Sequence, residues 1–265
     1  MIKIIKFLVN FLINFIRKDR RFIRINPNQK GPIFFFDKFK KKLFKVFSRD
    51  RIDSVTADEI FTKNSYDLCF LKRYSELQKI YNDIIKKKKT PLIIDCGSNI
   101  GLSPRYFATC FGKSRVIALE PEIKNYKLMK KNCTGLENIH YLNAAIGSRK
   151  GFVDIENKNV DNNSFKTILT NNKKSIRLYT INQILKKNSD CTPFIVKIDI
   201  EGFENDMFRE NINWIKKTPI IIIELHDWML PGKAVSKTFL KAHILGSRDF
   251  IICGENIFSI NNNTR

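Results

Sequence analysis

Asp95-Cys96-Gly97-Ser98-Asn99-Ile100-Gly101 is the stretch that decides the fold, because it joins a short apolar run, residues 92–95, to a helical pattern. Its two glycines let the backbone turn tightly and approach a ligand closely. The helix that follows would offer the free N–H groups of its N-terminus to that ligand. A strand, a glycine loop and a helix in this order are typical of nucleotide-binding α/β folds, although the glycine spacing alone is a weak signal.

The same alternation continues along the chain. Short β-branched runs predict strands buried on both faces, and helical spacing predicts helices between them. The predicted strands are residues 92–95, 116–120, 140–145, 195–199 and 220–225, and the predicted helices are residues 102–111, 123–132, 204–210 and 234–245. The runs 250–253 and 257–260 predict a hairpin, so the last strand should be antiparallel. We therefore expect a Rossmann-like α/β fold with a seven-stranded, mostly parallel sheet.

Acidic side chains recur at the predicted carboxyl ends of the strands, where ligands bind in such sheets. Glu120 ends the second strand, 25 residues after Asp95, and can accept both hydroxyls of a ribose. Asp95 stands beside the glycine loop, where it would repel a pyrophosphate but could bind an ammonium group; Asp199, Glu201 and Glu224 follow at later strand ends. S-adenosylmethionine suits this edge because it has a ribose, an ammonium and a sulfonium but no phosphate. The alternative is that these carboxylates cap the following helices.

Composition limits the class of protein. The 265 residues include 48 Lys and Arg against 26 Asp and Glu, a net charge of +22, and the hydrophobic share of 43% excludes a wholly disordered chain. The charge favours polyanionic partners such as nucleic acid, anionic lipid or acidic glycan, but Lys, Ile, Asn and Phe are also the residues of A/T-rich codons. The six cysteines form no CxxC pair, which argues against a zinc cluster.

Residues 1–47 are predicted to form a basic, helical, amphipathic attachment. Its polar residues recur every three or four positions and place a narrow stripe on an otherwise apolar helix: Lys3, Lys6, Asn10, Asn14, Arg17 and Arg21. Such a helix lies in a membrane interface or packs on its own domain, and both alternatives stay open. The apolar stretch 7–16 is too short to span a bilayer, and residues 26–32 have the composition of a linker. The basic aromatic stretch 34–45 would suit anionic headgroups.

Five blocks of sequence resemble the FkbM-type family of S-adenosylmethionine-dependent methyltransferases over about residues 90–260. They occur in the order of the family: DCGSNIGLS at 95–103, EP at 120–121, NAAIG at 143–147, KIDIEGFE at 197–204 and ELH at 224–226. The resemblance implies a class I methyltransferase fold over residues 91–265, with residues 48–90 as a helical lead-in. It also implies methyl transfer, typically to a hydroxyl of a sugar or polyketide.

The resemblance further implies which residues hold the cofactor. Residues 95–101 would line its methionine part, Glu120 would hold the ribose, and Asn143 and Ala144 would lie near the adenine. The full implied set is Asp95, Gly97, Ser98, Asn99, Gly101, Ser103, Glu120, Pro121, Asn143 and Ala144.

A sugar hydroxyl has a pKa far above 7, so it needs a base as its oxygen attacks the methyl group. The catalytic candidates are Asp199, Glu201, Glu224 and His226, at the ends of neighbouring predicted strands. The same side chains could hold a divalent metal, and the sequence leaves base and metal open. A purely structural histidine is the alternative for His226. Lys197 shares a strand face with Asp199 and is predicted to be its ion-pair partner.

The predicted function is O-methylation of a sugar in a glycan or lipid-linked glycan, by a cytoplasmic protein with residues 1–47 at the inner membrane face as an open alternative. The competing prediction, prompted by the charge, is an RNA or other nucleic-acid methyltransferase. Against it, the fourth predicted strand ends in Asp199-Ile200-Glu201-Gly202 and lacks the Asn/Asp-Pro-Pro-aromatic pattern of amino-methylating enzymes. A third alternative, a membrane-associated scaffold with a vestigial domain, conflicts with the intact glycine loop and Glu120.

Overall fold

A computed structural model describes residues 2–155 and 167–263 of the protein, and the side chains of residues 2–6 and 10 lie outside that description. The helices are α1 Ile2–Ile16, α2 Arg51–Ala57, α3 Tyr74–Lys86, α4 Leu102–Cys110, α5 Ile123–Asn132, α6 Ile181–Lys187, α7 Glu204–Met207 and α8 Lys237–Leu245. The strands are β1 Phe22–Arg24, β2 Gly31–Asp37, β3 Lys42–Ser48, β4 Thr90–Cys96, β5 Arg115–Leu119, β6 Ile139–Leu142, β7 Ala145–Ile146, β8 Gly151–Ile155, β9 Thr167–Thr170, β10 Ile176–Tyr179, β11 Cys191–Ile198, β12 Ile220–Glu224, β13 Arg248–Cys253 and β14 Asn256–Asn261.

The main sheet has seven strands in the order β13-β14-β12-β11-β4-β5-β6. The five strands from β12 to β6 pair in parallel, and β14 pairs antiparallel with β12 and with β13. Every residue of β4 after the first is buried, because side chains pack on both faces of the sheet. The predicted α/β fold, its seven-stranded, mostly parallel sheet and its antiparallel last strand are confirmed.

A second sheet lies beside the first and was not predicted. The predicted strand 140–145 is divided, because β6 ends at Leu142 and β7 joins a four-stranded sheet in the order β7-β10-β8-β9. Its strands have two to five residues and are largely half-buried or exposed. They therefore lack the long apolar runs that mark the strands of the main sheet.

The prediction that residues 1–47 are helical is wrong beyond α1. Residues 22–48 form a three-stranded antiparallel sheet in the order β1-β2-β3, and the supposed linker contains the β1–β2 turn. The physical reason is a period-two pattern within the basic aromatic stretch, which turns Ile33, Phe35 and Val46 into the core while Phe34 and Lys45 face outwards.

This N-terminal sheet shares a hydrophobic core with the main domain. Phe35 packs on Phe61 with ring centroids 4.9 Å apart, and Phe22 packs on Tyr106 of α4 at 5.9 Å. The side chain of Asn132, at the end of α5, accepts from the N–H of Phe47 at 2.7 Å and donates to its carbonyl at 3.1 Å. Apolar packing and hydrogen bonds therefore tie residues 22–48 to the helices that cover the main sheet.

We expect Phe35→Ala to lower the free energy of unfolding by about 3–5 kcal/mol, because it leaves a cavity in a fully buried aromatic cluster. The adjacent Phe34 is 37% exposed on the opposite face of the same strand, so Phe34→Ala should cost less than about 1 kcal/mol. Urea unfolding of both variants measures the difference. Equal losses would contradict the inward orientation of Phe35.

Candidate functional site

The glycine loop between β4 and α4 crosses the edge of the main sheet with almost no clearance. Gly97 has a φ of +83°, and a Cβ added there would lie 1.7 Å from the backbone oxygen of Asp199. Gly101 has a φ of +92°, and its Cβ would lie 2.9 Å from the Cα of Met129 in α5. Only glycine fits these positions, which confirms the tight turn; the close contacts are with the chain's own backbone, so the approach to a ligand stays a prediction.

Glu120 follows β5 and is held by the loop that it faces. Its Oε2 accepts from the backbone N–H of Asn99 at 2.8 Å, and its Oε1 accepts from the N–H of Glu122 at 2.9 Å. The side-chain amide of Asn125 lies 3.5 Å from Oε1. Burial raises the pKa of Glu120 to about 7, although the two N–H donors act in the opposite direction. Oε2 keeps a second lone pair for a ligand hydroxyl.

A pocket, here called the main pocket, opens beside Glu120. Its described lining joins the glycine loop, the ends of β5 and β6 and the loop after β11: Gly97, Asn99, Leu119, Glu120, Pro121, Asn125, Ala144, Ala145, Ile146, Thr167, Asp199, Ile200, Glu201 and Phe203. This part of the lining contains carboxylates but no Lys or Arg, although the chain carries a net charge of +22. The pocket therefore suits a cationic ligand better than a phosphorylated one.

A second, small cavity, the loop cavity, lies against the same glycine loop. Ser98 and Ser103 line it together with Asp53 and Tyr66 of the lead-in, while Asp199 borders both cavities. The lead-in segment thus forms one wall of the site, which the sequence did not predict. Asp95, Gly101 and Asn143 are not among the described residues that line either cavity.

Asp95 is fully buried below the loop. Its Oδ2 accepts from the hydroxyl of Ser103 at 2.6 Å, and its Oδ1 lies 3.2 Å from the Nζ of Lys197. Lys197 also lies 3.2 Å from Oδ2 of Asp199 and donates to the carbonyl of Gly97 at 2.7 Å. Burial acts to lower the pKa of Lys197, but these two carboxylates raise it above its ordinary value. Lys197 therefore forms ion pairs with Asp95 and Asp199, at the ends of two neighbouring strands. The pair with Asp199 agrees with the prediction.

Asn143 and Ala144 have different surroundings. Ala144 lines the main pocket, whereas the exposed Asn143 donates from its side chain to the carbonyls of Glu120 and Pro121, both at 2.9 Å. In this geometry Asn143 fixes the backbone behind Glu120, and Ala144 borders the cavity.

The four catalytic candidates converge on one point. The Nε2 atom of His226 lies 3.5 Å from Oε1 of Glu224, 3.6 Å from Oδ1 of Asp199 and 3.7 Å from Oε2 of Glu201. The ring itself is 2% exposed, whereas the three carboxylate side chains are between 22% and 28% exposed. Neighbouring strand ends therefore bring these residues together, with His226 beneath the carboxylates.

Glu204 is the functional residue that the sequence analysis missed. It is buried in α7, and its Oε1 lies 2.8 Å from Nδ1 of His226. Burial acts to lower the pKa of His226, but the hydrogen bonds with Glu204 and Glu224 and the charge of Asp199 raise it to about 11. Glu204 lies in the quoted block 197–204, but nothing in that block indicates its contact with His226.

This environment changes the role open to the histidine. At neutral pH an imidazole with this pKa carries a proton on both nitrogens and cannot accept one from a hydroxyl. Burial, followed by the charge of Asp199, raises the pKa of Glu201 to about 8, and burial also raises the pKa of Glu224. The three carboxylate side chains are 22–28% exposed whereas the His226 ring is 2% exposed, so an acceptor would meet a carboxylate before it met His226.

Fold and site together define a Rossmann-like methyltransferase domain. The family model of the FkbM methyltransferase domain matches residues 95–249, more than half of the chain, so the protein belongs to the FkbM methyltransferase family. Family membership makes S-adenosylmethionine the methyl donor. The main pocket fits that cofactor, since Glu120 offers oxygens to a ribose and the described lining offers no phosphate-binding cation.

Individual relatives are distant. A hexuronic acid methyltransferase, AglP of Haloferax volcanii, is 24% identical over 151 residues, which cover 57% of this chain and 62% of that protein. A candidate O-methyltransferase from Klebsiella pneumoniae has a TM-score of 0.39 at 11% identity, over 77% of this chain and 89% of that one. The pre-rRNA processing protein fibrillarin of Methanococcus jannaschii has a TM-score of 0.38 at 14% identity, over 65% of this chain and 66% of that one.

Proposed function

We propose that the protein is an S-adenosylmethionine-dependent O-methyltransferase that modifies a sugar hydroxyl in a glycan or lipid-linked glycan. The observation that carries the proposal is the shared lining of the main pocket, where Asp199 and Glu201 lie in the same cavity as Glu120. Groups suited to activating a hydroxyl are thus next to the group suited to holding the cofactor's ribose. The name of the hexuronic acid methyltransferase supports a sugar as acceptor.

Glu201 is the proposed proton acceptor. An open cavity, the outer cavity, lies next to the main pocket, and Glu201 borders both, with Thr167 and Phe203. An acceptor in the outer cavity would therefore meet the cofactor at this carboxylate. Bound S-adenosylmethionine supplies the methyl group as an electrophile. As the acceptor oxygen bonds to the methyl carbon, the bond from that carbon to sulfur would break and leave S-adenosylhomocysteine, while the hydroxyl proton would pass to the carboxylate of Glu201.

An exposed aromatic side chain beside the cluster supports a sugar acceptor. The indole of Trp228 is 71% exposed, and its ring centroid lies 6.4 Å from that of His226. Aromatic side chains combine an apolar face with polar edges, which suits the apolar face of a sugar ring. Trp228 could therefore orient a sugar hydroxyl towards Glu201.

Transfer of label from S-adenosylmethionine tests this function. The full chain is incubated with methyl-labelled cofactor and host glycolipid, polysaccharide and RNA fractions, and each product is treated with mild alkali. We expect label in a sugar fraction that resists alkali, because a methyl ether is stable there whereas a methyl ester is hydrolysed. Alkali-labile label would show that the methyl group is transferred to a carboxylate of the acceptor. Nuclease-sensitive label would establish the nucleic-acid alternative.

We also propose that an apolar-basic face contacts an anionic membrane surface. None of the described helices is both long and apolar enough to cross a membrane. The face consists of residues 8, 9 and 11–16 of α1 together with residues 38–43, which form the β2–β3 turn and the start of β3. The two parts are joined because Nζ of Lys38 donates to the carbonyl of Arg17, directly after α1, at 2.5 Å. Its exposed apolar residues are Leu8, Val9, Leu12, Ile13, Phe15, Ile16, Phe39 and Leu43, and Lys40, Lys41 and Lys42 lie between the last two. Apolar side chains beside a lysine run match an acidic lipid surface.

Flotation with vesicles tests this contact. The double change Leu12→Glu and Ile16→Glu should lower the vesicle-bound fraction at least about tenfold. Burial of each apolar side chain in the membrane surface would otherwise contribute about 1.5–3 kcal/mol to binding. Ile244→Glu alters a comparably exposed residue of α8 and should bind as the unaltered chain does. Equal binding by all three proteins would reject the contact. Deleting residues 1–47 is unsuitable, because β1 to β3 belong to the core.

A further inference from the structure

The arrangement around Nε2 of His226 differs from ordinary ion pairing. Three carboxylate oxygens approach this atom at 3.5, 3.6 and 3.7 Å, whereas N–H···O hydrogen bonds have lengths of about 2.7–3.2 Å. Among the described residues, Nε2 therefore makes no hydrogen bond of ordinary length, although the ring is 98% buried. The side chain is aimed into a space enclosed by the oxygens of Asp199, Glu201 and Glu224.

The contact at the other ring nitrogen, Nδ1, explains why Nε2 points towards these oxygens. Nδ1 is 2.8 Å from Oε1 of Glu204, and the same oxygen accepts from the N–H of Gly202 at 3.2 Å. A histidine that binds a metal almost always donates its other ring N–H to a carboxylate or carbonyl, which fixes the ring and leaves the second nitrogen for the ion. Glu204 and His226 have this arrangement, and an ion bound at Nε2 would displace the proton that this nitrogen otherwise carries.

The charges of the cluster call for a further cation. Asp199, Glu201, Glu224 and Glu204 surround one imidazole, and the second carboxylate oxygen of Glu204 is buried with no hydrogen-bond partner among the described residues. The nearby Lys197 is shared between Asp95 and Asp199. It engages Oδ2 of Asp199, which leaves Oδ1 turned towards the histidine. Carboxylates gathered in a partly buried site are stabilised by a bound metal ion.

We propose that Asp199, Glu224 and His226 bind one Mn²⁺ or Mg²⁺ ion, with Glu204 as the positioning residue. One ligand atom from each of the three lies within 4.8 Å of the others. Ligands that share an ion at about 2.1 Å lie about 3–4.2 Å apart, so small side-chain rotations close the site. Two carboxylates and one imidazole are ligands for hard or intermediate divalent ions, whereas thiolates, which softer ions prefer, are not part of the described cluster.

The ion would deepen the proposed function. A divalent cation lowers the pKa of a hydroxyl that it coordinates, so the acceptor would be easier to deprotonate while Glu201 takes the proton. This role rests on the proposed O-methylation, but ion binding does not. Binding is therefore measured without cofactor or acceptor, so that failure of the metal site and failure of the proposed reaction are distinguishable.

Titration with Mn²⁺ alone tests the site. The full chain is freed of metal by chelator and titrated with MnCl₂, with free Mn²⁺ measured by its electron paramagnetic resonance signal and heat by calorimetry. We expect one ion per chain and a rise in the midpoint of thermal unfolding. Glu224→Gln should weaken Mn²⁺ binding at least about tenfold, because a charged ligand is lost from a partly exposed position. Glu204→Gln should weaken it about 10–100-fold through the orientation of His226.

The matched control is Glu210→Gln, which neutralises an exposed carboxylate outside the cluster and should bind Mn²⁺ as the unaltered chain does. Circular dichroism verifies that each variant is folded. The proposal is overturned if the unaltered chain binds no Mn²⁺ at about 1 mM, the weak limit of protein cation sites. It is also overturned if Glu224→Gln and Glu210→Gln bind the ion equally well.

Discussion

Glu201→Gln should lower kcat by about 10²–10⁴-fold, the usual range for the loss of a general base. The amide keeps the size and the polar contacts of the side chain, but it cannot take the proton of the acceptor hydroxyl. Glu120, which is proposed to hold the ribose, is unchanged, so the affinity for S-adenosylmethionine should stay close to that of the unaltered protein. Initial rates at saturating acceptor, with calorimetry for the cofactor, separate the two effects.

The same Glu210→Gln variant serves as the control for this prediction, since its exposed carboxylate lies outside the described lining of both the main pocket and the outer cavity. It should retain the full kcat. A near-normal kcat in Glu201→Gln would move the proton acceptor to Asp199 or Glu224, the other partly exposed carboxylates of the cluster. A rise in KM without a change in kcat would instead assign Glu201 to acceptor binding.

The sequence predicts those features whose signals are local. Strands β4, β5, β11 and β12 of the main sheet contain continuous apolar runs. The glycine loop directly follows β4, and Glu120 directly follows β5. Gly97 is an example, because its positive φ and its close contact with the backbone of Asp199 together require glycine at this position. Parallel pairing then brings the strand ends together, which is why Asp199, Glu201, Glu224 and His226 could be grouped from sequence alone.

Features that depend on distant contacts could not be predicted in the same way. The protonation of His226 depends on Glu204, which lies 22 residues earlier in the chain and reaches Nδ1 only through the fold. The strands β2 and β3 were difficult to predict because lysines occupy the turn between them and the outward positions of β3. Composition therefore indicated a membrane-binding stretch, although alternate residues belong to the core. Asp95 was placed near the cofactor, but Lys197 and Ser103 already occupy its carboxylate.

Glu120→Ala should weaken binding of S-adenosylmethionine by about 10- to 150-fold. The change removes a charged acceptor of ribose hydrogen bonds, a contribution of about 1.5–3 kcal/mol, and that free energy converts to this range of affinity. Because Glu120 also holds the N–H groups of Asn99 and Glu122, Glu120→Gln provides a variant that keeps one acceptor oxygen. Glu137→Gln, at an exposed position after α5, is the matched control and should bind normally.

The pH dependence of binding gives a more specific signature of the same carboxylate. Its pKa is raised to about 7 by burial, so a large fraction of the side chain is protonated at neutral pH. The ionised form accepts with both oxygens, whereas the protonated form has lost one acceptor position to its own O–H. Cofactor affinity should therefore rise as the pH increases from about 6 to about 8, with its steepest change near the pKa of the free protein.

Proton release supplies the measurement. A ligand that prefers the carboxylate lowers its pKa in the complex, so binding near neutral pH should release a fraction of a proton from Glu120. Calorimetry in two buffers of different ionisation enthalpy detects that release. Glu120→Gln should lose this part of the release, and subtracting its profile removes any titration of the ligand itself. Identical affinity and identical proton release in the unaltered protein and in both Glu120 variants would contradict the assignment of this carboxylate to the ribose.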